Sequence, residues 1–494
     1  MSNRFNLIDA PWIPVENEGL HGLQDVLTNK SLTKLHCMVL DKIAILKLLL
    51  AIGQSAFTPK DDAEWLSVGL DGFIKKVNVY LSKFFDKFYL YGDEPFLQYT
   101  CLDKFLKDKK SYGNFIPNIA VGNTSVVTQW QVERALSDAE KAQLLIRQMA
   151  MSFSGKKVDN SVTLTPGYKE KSKSGKAGPG IGAYGLLHSF YTGDSVAETV
   201  YYNLLTLKDL ENLPMFRHGV GMAPWEKMPA GEDDEIARSL KNSLMGRLVS
   251  LSRFCYLHDD GIKLTEGLIH LNYKDGIYDP SVCVIDDGKE PKALWADTEK
   301  KPWRQLDALL GFLGSSSVNG CMQLKLPAER IKRLNKCFGV WAGGLALSSN
   351  SGEQYLTGTD DEVQSEILLP EPSCQGELWF SKFCDSVAKL NEMANFLRKS
   401  VKKYLDEFSD QNDGILKQVT MEYWQHAEKV SQELVTNCYM ENMEEVQRLM
   451  KKCSGFSRDI YDKHCPCNTP RQIKAWAKHR FYGLTSEKNN GKQQ

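Results

Sequence analysis

The chain has 494 residues, 25% of them charged and 42% apolar, with a formal net charge of -1. That length can bury a large core and suits two domains or more. A surface that is basic all over is excluded, so any contact with nucleic acid must come from local patches or from a larger assembly.

Twelve cysteines lie scattered without framework spacing, and the opening MSNRFNLIDA is polar. The simplest expectation is a cytoplasmic protein with free thiols. The longest apolar run, Ile43 to Ile52, is interrupted by Lys47 and is too short to span a bilayer, so no membrane partner is expected.

In chain order, residues 5–15 (FNLIDAPWIPV) read as an extended segment with two prolines. Asp41 to Phe57 has helical spacing in Ile43, Leu46, Leu49, Leu50 and Ile52, with Gly53 as a weak spot. Lys60-Asp61-Asp62 opens a second helix, and aromatic-rich Val77 to Phe88 reads as a third. Tyr91 to Gln98 breaks the helices, and 103–129 is irregular. Ser137-Asp-Ala-Glu140 is a capping box before a helix, and Ser195 to Glu198 caps another that runs through Leu207. Residues 239–253 read as helical, and Phe254 to Val284 as short antiparallel strands. Phe338 to Leu347 is apolar with paired glycines, and SSNSGEQ (348–354) reads as a hairpin tip. Beyond Pro370-Glu371-Pro372 four amphipathic patterns follow, at 376–408, 416–436, 440–453 and 468–482. The last has Thr469 as N-cap and Pro470 at its first position. Four such helices make a bundle. The expected architecture is therefore α+β: a large mixed α/β N-terminal domain (1–374) followed by a C-terminal four-helix bundle (375–494).

The most distinctive stretch runs from Gly155 to Gly193. Lysines 156, 157, 169, 171, 173 and 176 meet only Asp159 and Glu170, and glycines 175, 178, 180, 182 and 185 crowd eleven residues. Glycine lets a backbone approach a ligand because no Cβ intervenes. Lysine beside it attracts anions, so the pair suits phosphate or a nucleic-acid groove. The same composition also suits a solvated flexible loop.

Signals for catalysis are thin. His464-Cys465-Pro-Cys467 is the one cysteine/histidine cluster, and zinc sites usually need a second pair. No Walker loop, dinucleotide fingerprint or G-x-S-x-G elbow is present, and GPGIGAYG follows no clear strand. The acidic groups Asp61-Asp62 and Asp360-Asp361-Glu362 read as helix starts or solvated loops, and His188 as a satisfied, partly buried histidine. No metal, cofactor or catalytic residue is expected, which favours a binding protein over an enzyme.

Several stretches then coincide with one family. FNLIDAPWIPV, IGQSAFTPKDD (52–62), EPFLQ (94–98), LSDAEKAQLL (136–145), the Lys/Gly loop leading into YTGDSVAETVYYNLLTL, APWE (223–226), GGLALSSNSGEQ and RQIKAWAKHRFYGL occur in the family's order over nearly the whole chain. In this the chain resembles the CasA family, the large subunit of the type I-E CRISPR surveillance complex Cascade. The resemblance implies a non-catalytic subunit that reads a protospacer-adjacent motif in double-stranded DNA from the minor groove. It also implies help in opening the duplex for crRNA pairing, contact with other Cascade subunits and recruitment of a CRISPR helicase-nuclease. Carried over by position, the family's glycine loop falls on 174–178, with Gly175 as the central contact; from the local composition, Gly178 and Gly180 and the lysines Lys169, Lys171, Lys173 and Lys176 are expected to face DNA with it. The groove lysine of the family falls on Asn272, with Lys274 the nearest lysine. The wedge hairpin falls on Ser348 to Gln354, its tip at Ser349-Asn350, with Gln354 as the other amide. The loop near the RNA's 5′ end falls on Val126, Val127, Thr128 and Gln129. The alternative function is a nucleic-acid-processing enzyme that holds phosphates with the Lys/Gly loop.

Overall fold

The helix Val39–Ala56 is apolar on nearly every face, so it is buried almost throughout. A helix hydrophobic all round belongs inside a large core. Its Lys47 is fully buried and pairs with Asp279, which keeps the charge compensated. Gly53 is a point of close approach rather than of weakness. A Cβ there would lie 2.9 Å from Val200 Cγ1 and 3.2 Å from the Phe73 ring.

The computed structural model describes residues 3–115, 135–156, 158–171, 175–211, 213, 215–285, 290–314, 320–355, 361–408 and 412–480. The chain divides into two compact units. One comprises Met1–Leu334 and Phe338–Glu366, and the other Asn335–Cys337 and Ile367–Gln494. The division thus falls some residues before the expected position 374.

In the first unit, Asp61 caps the helix Asp62–Lys83 by accepting from the Glu64 amide. Of the expected separate helix at 77–88, residues 77–83 close this run, which is bent where Gly69 takes φ 61°, and Phe85–Lys87 form a separate 3-10 turn. Ser137 and Glu140 form a reciprocal capping box on the helix Asp138–Ala150. Ser195 caps the shorter helix Val196–Tyr202, but Glu198 reaches the Asp194 amide instead of closing a box. That helix ends before Leu207, which opens a separate helix, Leu207–Glu211. The expected helix at 239–253 is two pieces, Glu235–Lys241 and Met245–Leu248.

Most of the described strands are short. Phe338–Leu345 is buried at all eight positions and lies between Glu362–Leu369 and His188–Thr192. A second antiparallel pair, Arg253–Leu257 with Ile262–Glu266, sets Arg253 opposite Glu266. The strand reading of 254–284 holds for this pair, and the chain beyond Glu266 is mostly irregular.

The second unit is helical. Its described helices are Trp379–Leu405, Asp413–Glu428, Ser431–Tyr439, Met443–His464 and Pro470–His479, five where four were expected. The pattern at 416–436 is divided at Lys429-Val430, where Val430 leaves helical geometry. The pattern ending at 453 continues to His464, because Gly455 sits inside the helix. On the first helix Phe383, Val387, Leu390, Ala394, Leu397, Val401 and Tyr404 are buried at alternating four- and three-residue steps. That stripe is the seam a bundle helix needs. Thr469 caps the last helix, Pro470 is at its start, and Gln472 completes a capping box.

Candidate nucleic-acid interface

The interface is assembled around a short strip, Ser152 to Gly155, that leaves the helix Asp138–Ala150. On one side Gly155 and Ala177 exchange two backbone hydrogen bonds, each 3.0 Å. The Gly180 amide donates to the Ser152 carbonyl at 2.7 Å. On the other side the Gln354 amide donates to the Ser154 carbonyl (3.2 Å), and the Ser154 amide donates to Gln354 Oε1 (3.0 Å). Two segments nearly 180 residues apart in sequence, the glycine loop and the hairpin, are thereby held on one strip.

From beneath, the Arg253/Glu266 strand pair fixes the loop. Glu266 Oε1 accepts from the Gly178 amide (2.5 Å), and Arg253 donates to the carbonyls of Gly178 (2.5 Å) and Phe153 (3.0 Å). Burial pulls the Arg253 guanidinium down to about 10, with Glu266 opposing. A cavity of 80 Å³ opens under the loop, lined in part by Gly178, Arg253, Glu266, Asn272 and Tyr273. The expected loop and groove positions therefore share one cavity wall.

The three loop glycines have different surroundings. Gly175 is exposed at φ +70°, and a Cβ there would meet nothing within 4 Å. Gly178 is pinned by Glu266, whose Oε1 would lie 3.3 Å from an added Cβ. Gly180 is buried, and a Cβ would come within 2.6 Å of the Ala150 carbonyl oxygen. Gly180 thus packs against the chain's own backbone, away from the exposed end of the loop at Gly175.

The lysines divide in the same way. Lys169 is exposed. Lys176 is half-buried, its ammonium donating to the Ser351 carbonyl. Lys171 is buried and paired with Glu232 at 2.8 Å, and it also donates to the Val162 carbonyl and to Thr265. Its ammonium is enclosed and satisfied inside the protein, unlike the expected phosphate contact. Lys173 and the segment Val126, Val127, Thr128 and Gln129 lie outside the described residues.

Asn272 caps a single turn, Tyr273–Asp275, its side-chain oxygen accepting from the Lys274 amide at 2.9 Å. Lys274 is exposed on that turn, not on a strand.

The hairpin pairs Ser348 with Tyr355, Ser349 with Gln354 and Asn350 with Glu353. Its turn is Ser351-Gly352, at φ 51° and 79°. Two successive left-handed residues are what a two-residue hairpin turn demands. The tip therefore lies two residues beyond the expected Ser349-Asn350. Gln354 is no tip residue, since its amide oxygen is turned back onto Ser154.

Elsewhere the acids are structural. Asp62 and Asp209 both receive Arg330 at 2.9 Å, and Glu362 accepts from the Val39 amide. His464 meets Glu422 at 2.8 Å, while Cys465 is buried, its thiol pushed up to about 12 by burial. No group of three or more His, Cys, Asp or Glu positioned to hold a metal occurs among the described residues. No described helix is long and apolar enough to cross a membrane.

Sequence reading did not find Ser154, Arg253, Glu232 or Glu266, which organise the site. Their partners are distant in sequence, and nothing local marks them.

The class defined by these features is a mixed α/β body with a glycine loop and a polar hairpin on one strip, followed by a helical unit. The family model for CRISPR-associated protein Cse1 matches residues 6–454. The chain belongs to that family. A CRISPR-associated protein CasA/Cse1 from Thermus thermophilus is 26% identical over 335 residues, which is 62% of this chain and 60% of that protein. The match therefore spans less than two thirds of that relative's length. Among solved structures, CasA of Thermus thermophilus superposes with a TM-score of 0.73 at 18% identity, covering 96% of this chain and 98% of that one. Cse1 of Thermobifida fusca gives 0.74 at 17% identity, covering 96% and 95%. A chain of a CRISPR RNA-guided surveillance complex gives 0.68 at 16%, covering 97% and 99%. These similarities show the fold.

Proposed function

We propose that this chain is the non-catalytic large subunit of a type I-E CRISPR RNA-guided surveillance complex. In this reading it acts in the cytoplasm, bound to other Cascade subunits and crRNA. It reads a protospacer-adjacent motif in double-stranded DNA, helps the duplex open for crRNA pairing and recruits a helicase-nuclease. Family membership supports the complex. One structural observation carries the site: an exposed left-handed glycine, Gly175, stands over open space on the strip that also holds the hairpin. A bare backbone suits the minor groove, where the base-edge code is degenerate and several motifs can be accepted. The accessible cations Lys169 and Lys274 and the half-buried Lys176 supply local charge in a chain of net charge -1.

The test is binding of the assembled complex to a duplex library randomised at the motif. Wild type should enrich a small motif set, and Gly175→Asp should lose that enrichment while assembling normally. Equal enrichment by both would contradict the reading. The enzyme alternative is tested by incubating the chain alone with labelled duplex and divalent metal. Intact duplex is expected, and cleavage would favour the alternative.

A further inference from the structure

Lys176 follows the exposed Gly175, yet its side chain is directed at the hairpin. Its ammonium donates to the Ser351 carbonyl, and a Cβ on Gly352 would lie 3.6 Å from Lys176 Cδ. Ser351 is a non-glycine residue at φ 51°, so the turn is strained without its neighbours. The loop and the hairpin are joined at their bases through Gly155–Ala177 and Ser154–Gln354. At their outer ends the Lys176–Ser351 bond joins them again. This last bond is exposed and uses a neutral acceptor. A phosphate oxygen carries charge and makes the stronger hydrogen bond to an ammonium. The ammonium has three donors, but a phosphate that draws it outward weakens its hold on the neutral Ser351 carbonyl.

We infer that Lys176 is a positioning residue that couples motif docking to hairpin release. In the free protein it holds the turn against the loop. When a DNA phosphate approaches Gly175, the ammonium transfers to it, and the Ser351-Gly352 turn is released to move toward the duplex. The inference rests on the function proposed above, and it assigns Lys176 a second role besides charge.

Hydrogen exchange of the hairpin amides tests it. In the full chain, Lys176→Met should speed exchange across 348–355 about fivefold, the factor corresponding to a hydrogen bond worth ~1 kcal/mol. Lys176→Arg, which keeps a donor, should exchange nearly as wild type. Equal rates in wild type and Lys176→Met would overturn the latch. In the assembled complex, motif duplex cross-linked at its first pairs, which the hairpin cannot enter, should speed wild-type hairpin exchange, motif-free duplex should not, and Lys176→Met should already be fast and respond little. A hairpin that becomes slower to exchange with motif duplex would overturn the release while leaving motif recognition intact. Failure of the proposed function itself would appear differently, as wild-type binding that does not depend on the motif.

Discussion

At Lys171 the ammonium is enclosed by Glu232, the Val162 carbonyl and Thr265. Burial lowers the lysine's pKa, with Glu232 opposing. For Glu232, burial alone would raise the carboxyl, but Lys171 and the Thr165 and Leu164 amides outweigh it and hold it below the usual range. The acid's direction is the firmer of the two, because two backbone amides fix it as well as the lysine. Removing one member of a buried pair strands the other, at a cost of about 3–5 kcal/mol. Lys171→Met should therefore lower stability by that amount in urea unfolding, and Lys171→Met/Glu232→Gln should recover part of it. A variant as stable as wild type but weaker in DNA binding would return Lys171 to the interface. Histidines set a second expectation. Burial lowers His188 to about 4 and His270 to about 3. His188 Nδ1 is hydrogen-bonded to Ser281, and the ring faces Asp279 and Lys47. Between pH 6.5 and 4 the unfolded chain takes up protons at these imidazoles that the folded chain refuses. Stability is full above pH 6.5 and is lost as pH falls, by up to roughly 3 kcal/mol for His188. Asp279, held at about 2 because Lys47 overcomes its burial, adds loss only below about pH 3.8. His188→Asn should reduce the drop in urea midpoint between pH 6.5 and 4.5. An unchanged drop would place the titration elsewhere.

The glycine loop separates residues that look alike in sequence. Gly175→Asp meets open space, so its cost to the fold is confined to backbone strain of about 1–2 kcal/mol. Gly180→Ala drives a methyl against the Ala150 carbonyl, so thermal unfolding should move down by several degrees, more than for Gly175→Asp. The reverse order would mean the loop is seated otherwise. Gly178→Asp sets a carboxylate beside Glu266, so it perturbs the loop's anchor and cannot by itself define the DNA register. Helices with strong local signals were legible beforehand: Val39–Ala56, the Ser137 cap and the Thr469-Pro470 start. The hairpin was legible as a hairpin, but its turn was set two residues early, because Ser-Ser-Asn-Ser offers several polar turns of similar merit. The bundle was legible except at Gly455, which the helix Met443–His464 runs straight through, and at Val430, where no local signal marks the break. The burial of Lys171 was not legible, because composition does not say which way a side chain faces.

At the scale of the whole molecule, the net charge of -1 leaves the proposed DNA affinity to a handful of local cations. Replacing Lys169, Lys176 and Lys274 together with alanine should lower the log–log salt slope of duplex binding by the assembled complex, by about 0.9 for each phosphate that is no longer neutralised. An unchanged slope would mean that these lysines face bulk solvent in the complex. In the proposed function the loop and the hairpin form one motif-reading and duplex-opening site. Duplex stacking averages ~1.4 kcal/mol per step and is balanced only after RNA pairs, so something must hold the first pair open. A side chain inserted into the stack can do this at a cost of a few kcal/mol per step. The most direct measurement is stopped-flow fluorescence of 2-aminopurine placed beside the motif, using complexes in which residues 349–351 are all glycine. Opening of intact duplex should slow more than initial binding weakens, and DNA already unpaired at the first positions should restore the wild-type rate. Equal impairment on intact and pre-opened DNA would contradict the account and make the hairpin a binding contact or a fold element.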